Sequence, residues 1–512
     1  MTLFWLAVLP ILWLILALSG LKMVAWKACP VALFLSLVVS IMNFGMPWDY
    51  MASAVLEGTA LACWPILLII TATIYTYHLS VHTGGMERIK AMLTSVSSDY
   101  RVLILLIAFG FGGFLEGMAG FGTAVAIPAS MLAGMGINPV SAVAVCLVAN
   151  FVPSAYGSIG IPLVTLSGIM GTDPAQLATY VALQISILGI FCPFLMVAIA
   201  GGGWRAIRGM VPICLAAGVG YVAAQLVVSY FLGPELAGVA GAVCTMGAIM
   251  AAVRFFPPQD FAYVLQREEA PAVNRRQAFF AWLPFVLIFI LLLLTSKLVP
   301  MIYDSISQIR TSVLIYKGDG GSPYTFHWVA TPGLVIFFAT FLSGFIQRTP
   351  ITDMLKVLRK TVFSLRPTFV TIISIIATAK VMGYSGMTTT IADHTVAATG
   401  VMYPAIAAFI GSVGGFITGS ATSTCILLGK LQMDAAVAIG ASENTQVWIA
   451  AANATGACAG KIIAPQSIAI GVAAIGVAGR GSESQLLALA MKIYLPFILL
   501  LGCLVYMGRI WL

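Results

Sequence analysis

An ionisable group well inside a membrane-length apolar run is expensive and as a rule faces a cavity or a proton path. Glu116 is the only charged residue between positions 102 and 136. Desolvation disfavours its charged form, which suits a residue that takes up and releases a proton. The structural alternative is a neutral, hydrogen-bonded carboxyl that holds a broken helix together. Lys461 poses the complementary question, because it stands in the run 456–470 with no acidic neighbour. A buried ammonium needs a counter-ion, and either a substrate carboxylate or Glu116 itself fills that role, the two alternating during transport. Around Gly419, the stretch Thr418-Gly419-Ser420-Ala421-Thr422-Ser423-Thr424 offers five hydroxyls. They suit carboxylate oxygens or a dehydrated cation, or else they cap a helix break. Thr418, Ser420, Thr422 and Ser423 are therefore candidate anion ligands, together with Gly117, Asn150, Asn453, Gln466 and Ser467. The two asparagines serve equally well as structural glue. Lys380 is a candidate for an additional anion site or a tethered stand-in for a bound cation, with snorkelling from a nearby helix end as the simpler reading. Glu57, close behind Asp49, reads as interfacial.

The elements that must position these groups are membrane helices. Hydrophobic residues make up 61% of the 512 and charged residues 8%, against about 25% charged in soluble domains, which excludes a water-soluble globule. Apolar runs of about 20 residues recur along the chain and predict 12 to 14 membrane segments in an all-α, polytopic fold. The run 102–136 is too long for one straight crossing: as a helix it reaches about 50 Å, against a hydrocarbon core of roughly 30 Å. The glycines at 110, 112, 113, 117, 120 and 122 supply a break. Irregular backbone at membrane depth is tolerated only where protein or a watery cavity satisfies it.

A second stretch reads like the first. Gly112-Gly113-Phe114-Leu115-Glu116-Gly117 is matched by Gly414-Gly415-Phe416-Ile417-Thr418-Gly419. Asn150 follows Gly117 by 33 residues and Asn453 follows Gly419 by 34; from each Asn a Gly lies seven residues on (Gly157, Gly460) and a Pro twelve on (Pro162, Pro465). This order predicts two repeats, each with a broken or re-entrant region, at 102–162 and 411–470. Basic residues gather in the short loops: Lys22 and Lys27; Arg88, Lys90 and Arg101; Arg205 and Arg208; the loop 254–276; and the segment 348–366. All of them fall on the cytoplasmic side if the first helix runs inward, which leaves both termini outside and makes 299–328 the long external loop. Under that topology the two copies are inverted. A substrate site then lies near the midplane, with exposed helix N-termini facing an anion. The expected organisation is an N-terminal half, 1–204, a middle set of helices, 205–328, and a C-terminal half, 329–512. Residues 353–366 read as a basic amphipathic helix on the inner leaflet.

Motifs exclude other classes. No HExxH, Walker A or Ser-His-Asp arrangement appears, which argues against an enzyme, and nine scattered cysteines and four scattered histidines give no metal or cofactor site. Paired charge and hydroxyl clusters favour discrete binding over a channel. The expected partners are a small organic anion, a proton and the lipid bilayer, with no nucleic acid and with a homodimer left open.

The chain resembles the L-lactate permease family, bacterial carriers of lactate and glycolate in the cytoplasmic membrane. The likeness rests on Gly113-Phe114-Leu115-Glu116-Gly117-Met118-Ala119-Gly120-Phe121-Gly122, Tyr156-Gly157-Ser158-Ile159-Gly160-Ile161-Pro162, Phe416-Ile417-Thr418-Gly419-Ser420 and Gly460-Lys461-Ile462-Ile463-Ala464-Pro465-Gln466-Ser467. The resemblance implies proton-coupled uptake of L-lactate and related 2-hydroxymonocarboxylates, D-lactate and glycolate among them. Likeness to a wider ion-transporter superfamily implies hairpin-containing, elevator-like halves, by analogy of fold. Three positions depart from the family pattern: Ala421 and Cys425, where the family carries Asp and Asn, and Lys380, where it carries an uncharged residue. The proposed site thus loses one negative charge and gains one positive. That leaves open another small anion, such as a 2-oxo acid, a sulfonated analogue or a dicarboxylate, with altered coupling.

Overall fold

The computed structural model describes residues 2–21, 23–120, 122–258, 260–265, 274–296, 299–318, 321, 323–475 and 482–510. Lys22, Phe121 and parts of the loops 254–276 and 299–328 lie outside these. With no water in the hydrocarbon to satisfy peptide groups, apolar runs become helices that bond internally. Ten helices among the described residues are long and apolar enough to cross a membrane, and two bent pairs raise the number to 12. The expected 12 to 14 is met only at its lower edge. Apolar stretches such as Thr123–Gly134 and Pro332–Ile346 are helical but only 12 and 15 residues long, short of the roughly 20 a crossing needs. The only strands among the described residues form a two-stranded antiparallel ribbon in the 299–328 loop, with Arg310 opposite His327 and Val313 opposite Tyr324.

The run 102–136 breaks late. Tyr100–Met118 stays helical through four of the six glycines, and the chain turns only at Gly120 and Gly122, both with positive φ, before Thr123–Gly134 begins. The order of elements then repeats in the two halves. Tyr100–Met118, Thr123–Gly134, Pro139–Ala149 and Gly157–Met170 form the first set. Tyr403–Thr418, Ala421–Ala438, Glu443–Ile463 and Pro465–Ala474 form the second. The third and fourth helices of each set meet at a bend, of 64° in the first half and 48° in the second. Pro465 opens the helix beyond its bend; Pro162 does the same once Ser158, Ile159 and Gly160, all left-handed, have been passed. Proline suits a first helical turn because its missing N–H has no partner there anyway.

The Gly-Gly pairs explain themselves in packing. A Cβ on Gly112 would lie 3.3 Å from the Ala124 carbonyl, and one on Gly414 would lie 2.8 Å from Leu428, so each first glycine lets a hairpin's two arms approach. Gly415 and Gly460 do the same between Tyr403–Thr418 and Glu443–Ile463: added Cβ atoms would sit 2.8 Å from Ala457 Cα and from Phe416 N. Close backbone approach through small residues is the ordinary way membrane helices associate. This interlock fixes where Lys461, the next residue, points.

Candidate functional site

Lys461 and Glu116 meet. Nζ of Lys461 donates to Glu116 Oε1 at 2.6 Å and to Ser154 Oγ at 3.1 Å. The Asn150 amide, turned so that its nitrogen faces the carboxylate, donates to Glu116 Oε2 at 3.2 Å and accepts from Lys461 Nζ at 3.2 Å. Glu116, Asn150 and Ser154 are buried, and the lysine side chain is 11% exposed. The ammonium's three donors therefore have three acceptors, one of them charged. Of the two readings of the buried lysine, the ion pair across the halves is the one this conformation adopts.

The pair forms one wall of a cavity of about 310 Å³, whose lining also includes Ser158, Thr418, Ser420, Thr422, Ser423, Gln466 and Ser467. Four helices start at this lining. Thr123–Gly134 begins beyond Gly122, Ala421–Ala438 beyond Ser420 and Pro465–Ala474 before Gln466, while the helical part of Gly157–Met170 begins about Pro162. Helix N-termini carry unpaired N–H groups and partial positive charge, so four of them around one hollow, beside an ammonium, make an anion-binding environment.

The hydroxyls divide into two uses. Thr418 Oγ1 accepts from Ser420 N at 3.1 Å and donates to Gly414 O at 2.9 Å, while Ser420 Oγ caps the following helix by accepting from Ser423 N at 3.2 Å. These two hold the break. Among the described residues Thr422 and Ser423 make no side-chain hydrogen bond, yet both line the cavity, so their hydroxyls are available to a ligand. Gln466 Nε2 donates to Ile417 O at 3.3 Å and ties the two breaks of the second half together. Ser158 Oγ donates to Ala119 O at 2.8 Å and does the same in the first.

Three expected residues lie elsewhere. Gly117 packs against Val239, where an added Cβ would come within 3.0 Å, and it does not line the cavity. Asn453 is fully buried outside it, donating to Thr424 O at 3.3 Å. Lys380 is also absent from the lining; it pairs with Glu57 at 2.6 Å, and Tyr384 donates to both Glu57 oxygens at 3.0 and 2.9 Å. Glu57 is thus a buried partner, not an interfacial residue. The positive charge of Lys380 is neutralised there, so it does not add to the cavity. Ala421, by contrast, does line the cavity, and it brings no charge to it.

Ser154 and Ser158 escaped sequence reasoning as ligand-level groups. Hydroxyls four residues apart beside Asn150, in an apolar segment, were the available signal. Trp26, Cys29, Pro367, Thr368 and Thr371 extend the cavity toward the start of Ala25–Met42 and of Arg366–Tyr384. Nothing in their residue types marks them as lining.

The family profile described as L-lactate permease matches residues 4–509. The chain is similar to an L-lactate permease of Streptococcus iniae, 41% identical over 456 residues that cover 88% of this chain and 94% of that one. It is also similar to the glycolate permease GlcA of Escherichia coli, 31% identical over 532 residues covering 97% and 94%. Among solved structures, the YdaH transporter of Alcanivorax borkumensis shares the fold, with a TM-score of 0.50 at 17% identity over 90% of this chain and 89% of that one.

Proposed function

The chain belongs to the L-lactate permease family, and from that premise we propose that it is a secondary carrier moving L-lactate and related 2-hydroxymonocarboxylates, D-lactate and glycolate among them, together with a proton. The observation that carries this reading is the Lys461–Glu116 ion pair in the wall of an anion-suited cavity. Lys461 has no donor to spare, so a substrate carboxylate gains the ammonium by displacing Glu116. A carboxylate that has lost its cation in a desolvated site favours its neutral form. Glu116 then takes a proton as the anion binds, and each transport cycle carries one anion and one proton without net charge. Lys461 holds the carboxylate, the open hydroxyls of Thr422 and Ser423 reach its second oxygen and the 2-hydroxyl, and the helix N-termini add their partial charges.

The same reading makes the halves 1–204 and 329–512 inverted copies in the cytoplasmic membrane, with both termini outside and the broken helices moving as one body. Support for it comes from the repeated element order and from the basic loops.

The test is counterflow and proton uptake in proteoliposomes with L-lactate, D-lactate, glycolate and pyruvate at two pH values. Glu116→Gln should abolish substrate-driven proton uptake while counterflow partly survives, and Lys461→Met should abolish both. Proton uptake unchanged in Glu116→Gln, or wild-type lactate affinity in Lys461→Met, would sink the mechanism. Stronger competition by a sulfonate or dicarboxylate than by lactate would reassign the substrate.

A further inference from the structure

A second charged hollow lies away from the transport cavity. His82, Thr83, Arg88, Arg276, Arg348 and Thr349 line a cavity of about 390 Å³. Its three arginines come from three separate segments: the helix Gly85–Thr94, the first turn of Arg275–Leu294, and the turn after Pro332–Ile346. Guanidiniums gathered around one space repel each other unless an anion joins them. Among the described residues no carboxylate lies within ion-pair distance of any of the three, and Glu87, next to Arg88 in sequence, is engaged by Lys90 at 2.7 Å.

The backbone holds this arrangement at a cost. Arg348 has φ +58°, in the left-handed region that glycine favours. Its turn is pinned on both sides, by Gln347 Nε2 donating to Phe280 O at 3.2 Å and by Thr349 N donating to Gly344 O at 2.9 Å. A strained non-glycine residue persists where its surroundings over-determine it, and such positions cluster at ligand clamps.

The neighbours of the cavity point to the kind of anion. Phe280 and Ile346, at the ends of two apolar helices, belong to its lining, and Ile346 is 44% exposed toward the helix exterior. Pro350, also in the lining, is the N-cap of the helix Ile351–Ser364. That helix exposes Ile351, Leu355 and Phe363 alongside Lys356, Arg359 and Lys360, the pattern of a helix lying in a membrane interface. The cavity therefore sits at headgroup depth, with apolar surface on one flank for acyl chains. We propose that Arg88, Arg276 and Arg348 form a binding site for the phosphate of an anionic phospholipid in the leaflet that faces the basic loops. Guanidiniums match phosphate oxygens in bidentate geometry, and basic pockets between membrane helices are suited to anionic headgroups.

The test uses the purified full chain in zwitterionic detergent, titrated with phosphatidylglycerol or phosphatidylcholine and followed by thermal unfolding and by native mass spectrometry. Phosphatidylglycerol should bind and raise the unfolding temperature where phosphatidylcholine does not. At about 1 kcal/mol for each basic residue at the surface, the triple variant R88Q/R276Q/R348G should lose roughly 100-fold in affinity. Arg348→Gly alone, which fits the left-handed backbone and so keeps the fold, should lose about fivefold by the same arithmetic. Millimolar inorganic phosphate should not displace the lipid. The absence of any preference for the anionic lipid, full retention of that preference in Arg348→Gly, or complete displacement by inorganic phosphate would each overturn the proposal.

Discussion

The three acceptors on Lys461 are unequal, because Ser154 and Asn150 are neutral and only Glu116 carries charge. In the proposed cycle, exchange of Glu116 for a substrate carboxylate would preserve every hydrogen bond of the ammonium and so keep the barrier to binding low. The balance holds only while the cavity has one carboxylate at a time facing one ammonium. Ala421 matters for that reason, since it lines the cavity without bringing a charge to it. Ala421→Asp should place a second negative charge among the open hydroxyls and weaken lactate binding at neutral pH. The loss should lessen as pH falls through the range where the new carboxylate takes a proton. Binding measured by calorimetry at pH 5 and pH 7.5 checks this, and an unchanged affinity ratio between the two would mean that position 421 does not face the anion. The sequence shows both partners of the central pair and offers their union as one of two readings. Which reading holds depends on the interlock of Gly415 and Gly460, a contact between helices that no local pattern reports.

At the scale of elements, the second buried pair is the instructive one. Glu57 lies on Trp48–Leu61 and Lys380 on Arg366–Tyr384, 323 residues apart. Tyr384 completes the carboxylate's hydrogen bonds, and Tyr316 from the 299–328 loop stacks on Tyr384 with ring centroids 3.7 Å apart. The contact ties two spans and an intervening loop into one unit. Sequence reading gave Glu57 to the interface and left Lys380 between an additional anion or cation-surrogate site and snorkelling from a helix end, because each was judged by its own helix. The breaks were legible for the opposite reason: Gly120, Gly122, Gly419 and Pro465 act through their own backbone, so their effect needs no partner. Removing one member of a buried ion pair leaves an uncompensated charge, at a cost of about 3–5 kcal/mol, whereas removing both is often close to neutral. Lys380→Met should therefore lower the unfolding temperature by several degrees, and Lys380→Met with Glu57→Gln should recover most of that loss. Thermal unfolding of the three proteins in one detergent is the measurement. A double variant no more stable than Lys380→Met would show that the two residues are not coupled, and loss of lactate binding in the double variant would return Lys380 to the substrate path.

For the whole molecule, the question is which side the transport cavity opens to. Its lining runs from the Lys461–Glu116 pair out to Trp26, Pro367 and Thr368, beside Lys27 and Arg366, and therefore toward the face that carries the basic loops. A separate cavity of about 390 Å³, lined by Asp173, Glu235, Tyr303, Tyr324 and His327 among others, is bounded by the 299–328 loop and by the turns that follow Gly157–Met170 and Val211–Leu232. Pro162 lines the first cavity and Val164 the second, so at that point the two are separated by a single turn of helix. Under the proposed function, a thin barrier between the two hollows is the arrangement that alternating access requires, and the proposed anion site opens toward the basic loops. In a background with Cys29, Cys63, Cys244 and Cys503 changed to serine, Thr371→Cys should react with a membrane-impermeant maleimide from the face bearing the basic loops. Oriented membrane vesicles of the two sidednesses, quenched and compared by gel shift, make the measurement. Saturating lactate should slow the reaction, because bound substrate lets the site turn toward the opposite face for part of the time. Labelling from the opposite face alone would reverse the assigned opening, and labelling from both faces at equal rates would describe a pore in place of a carrier.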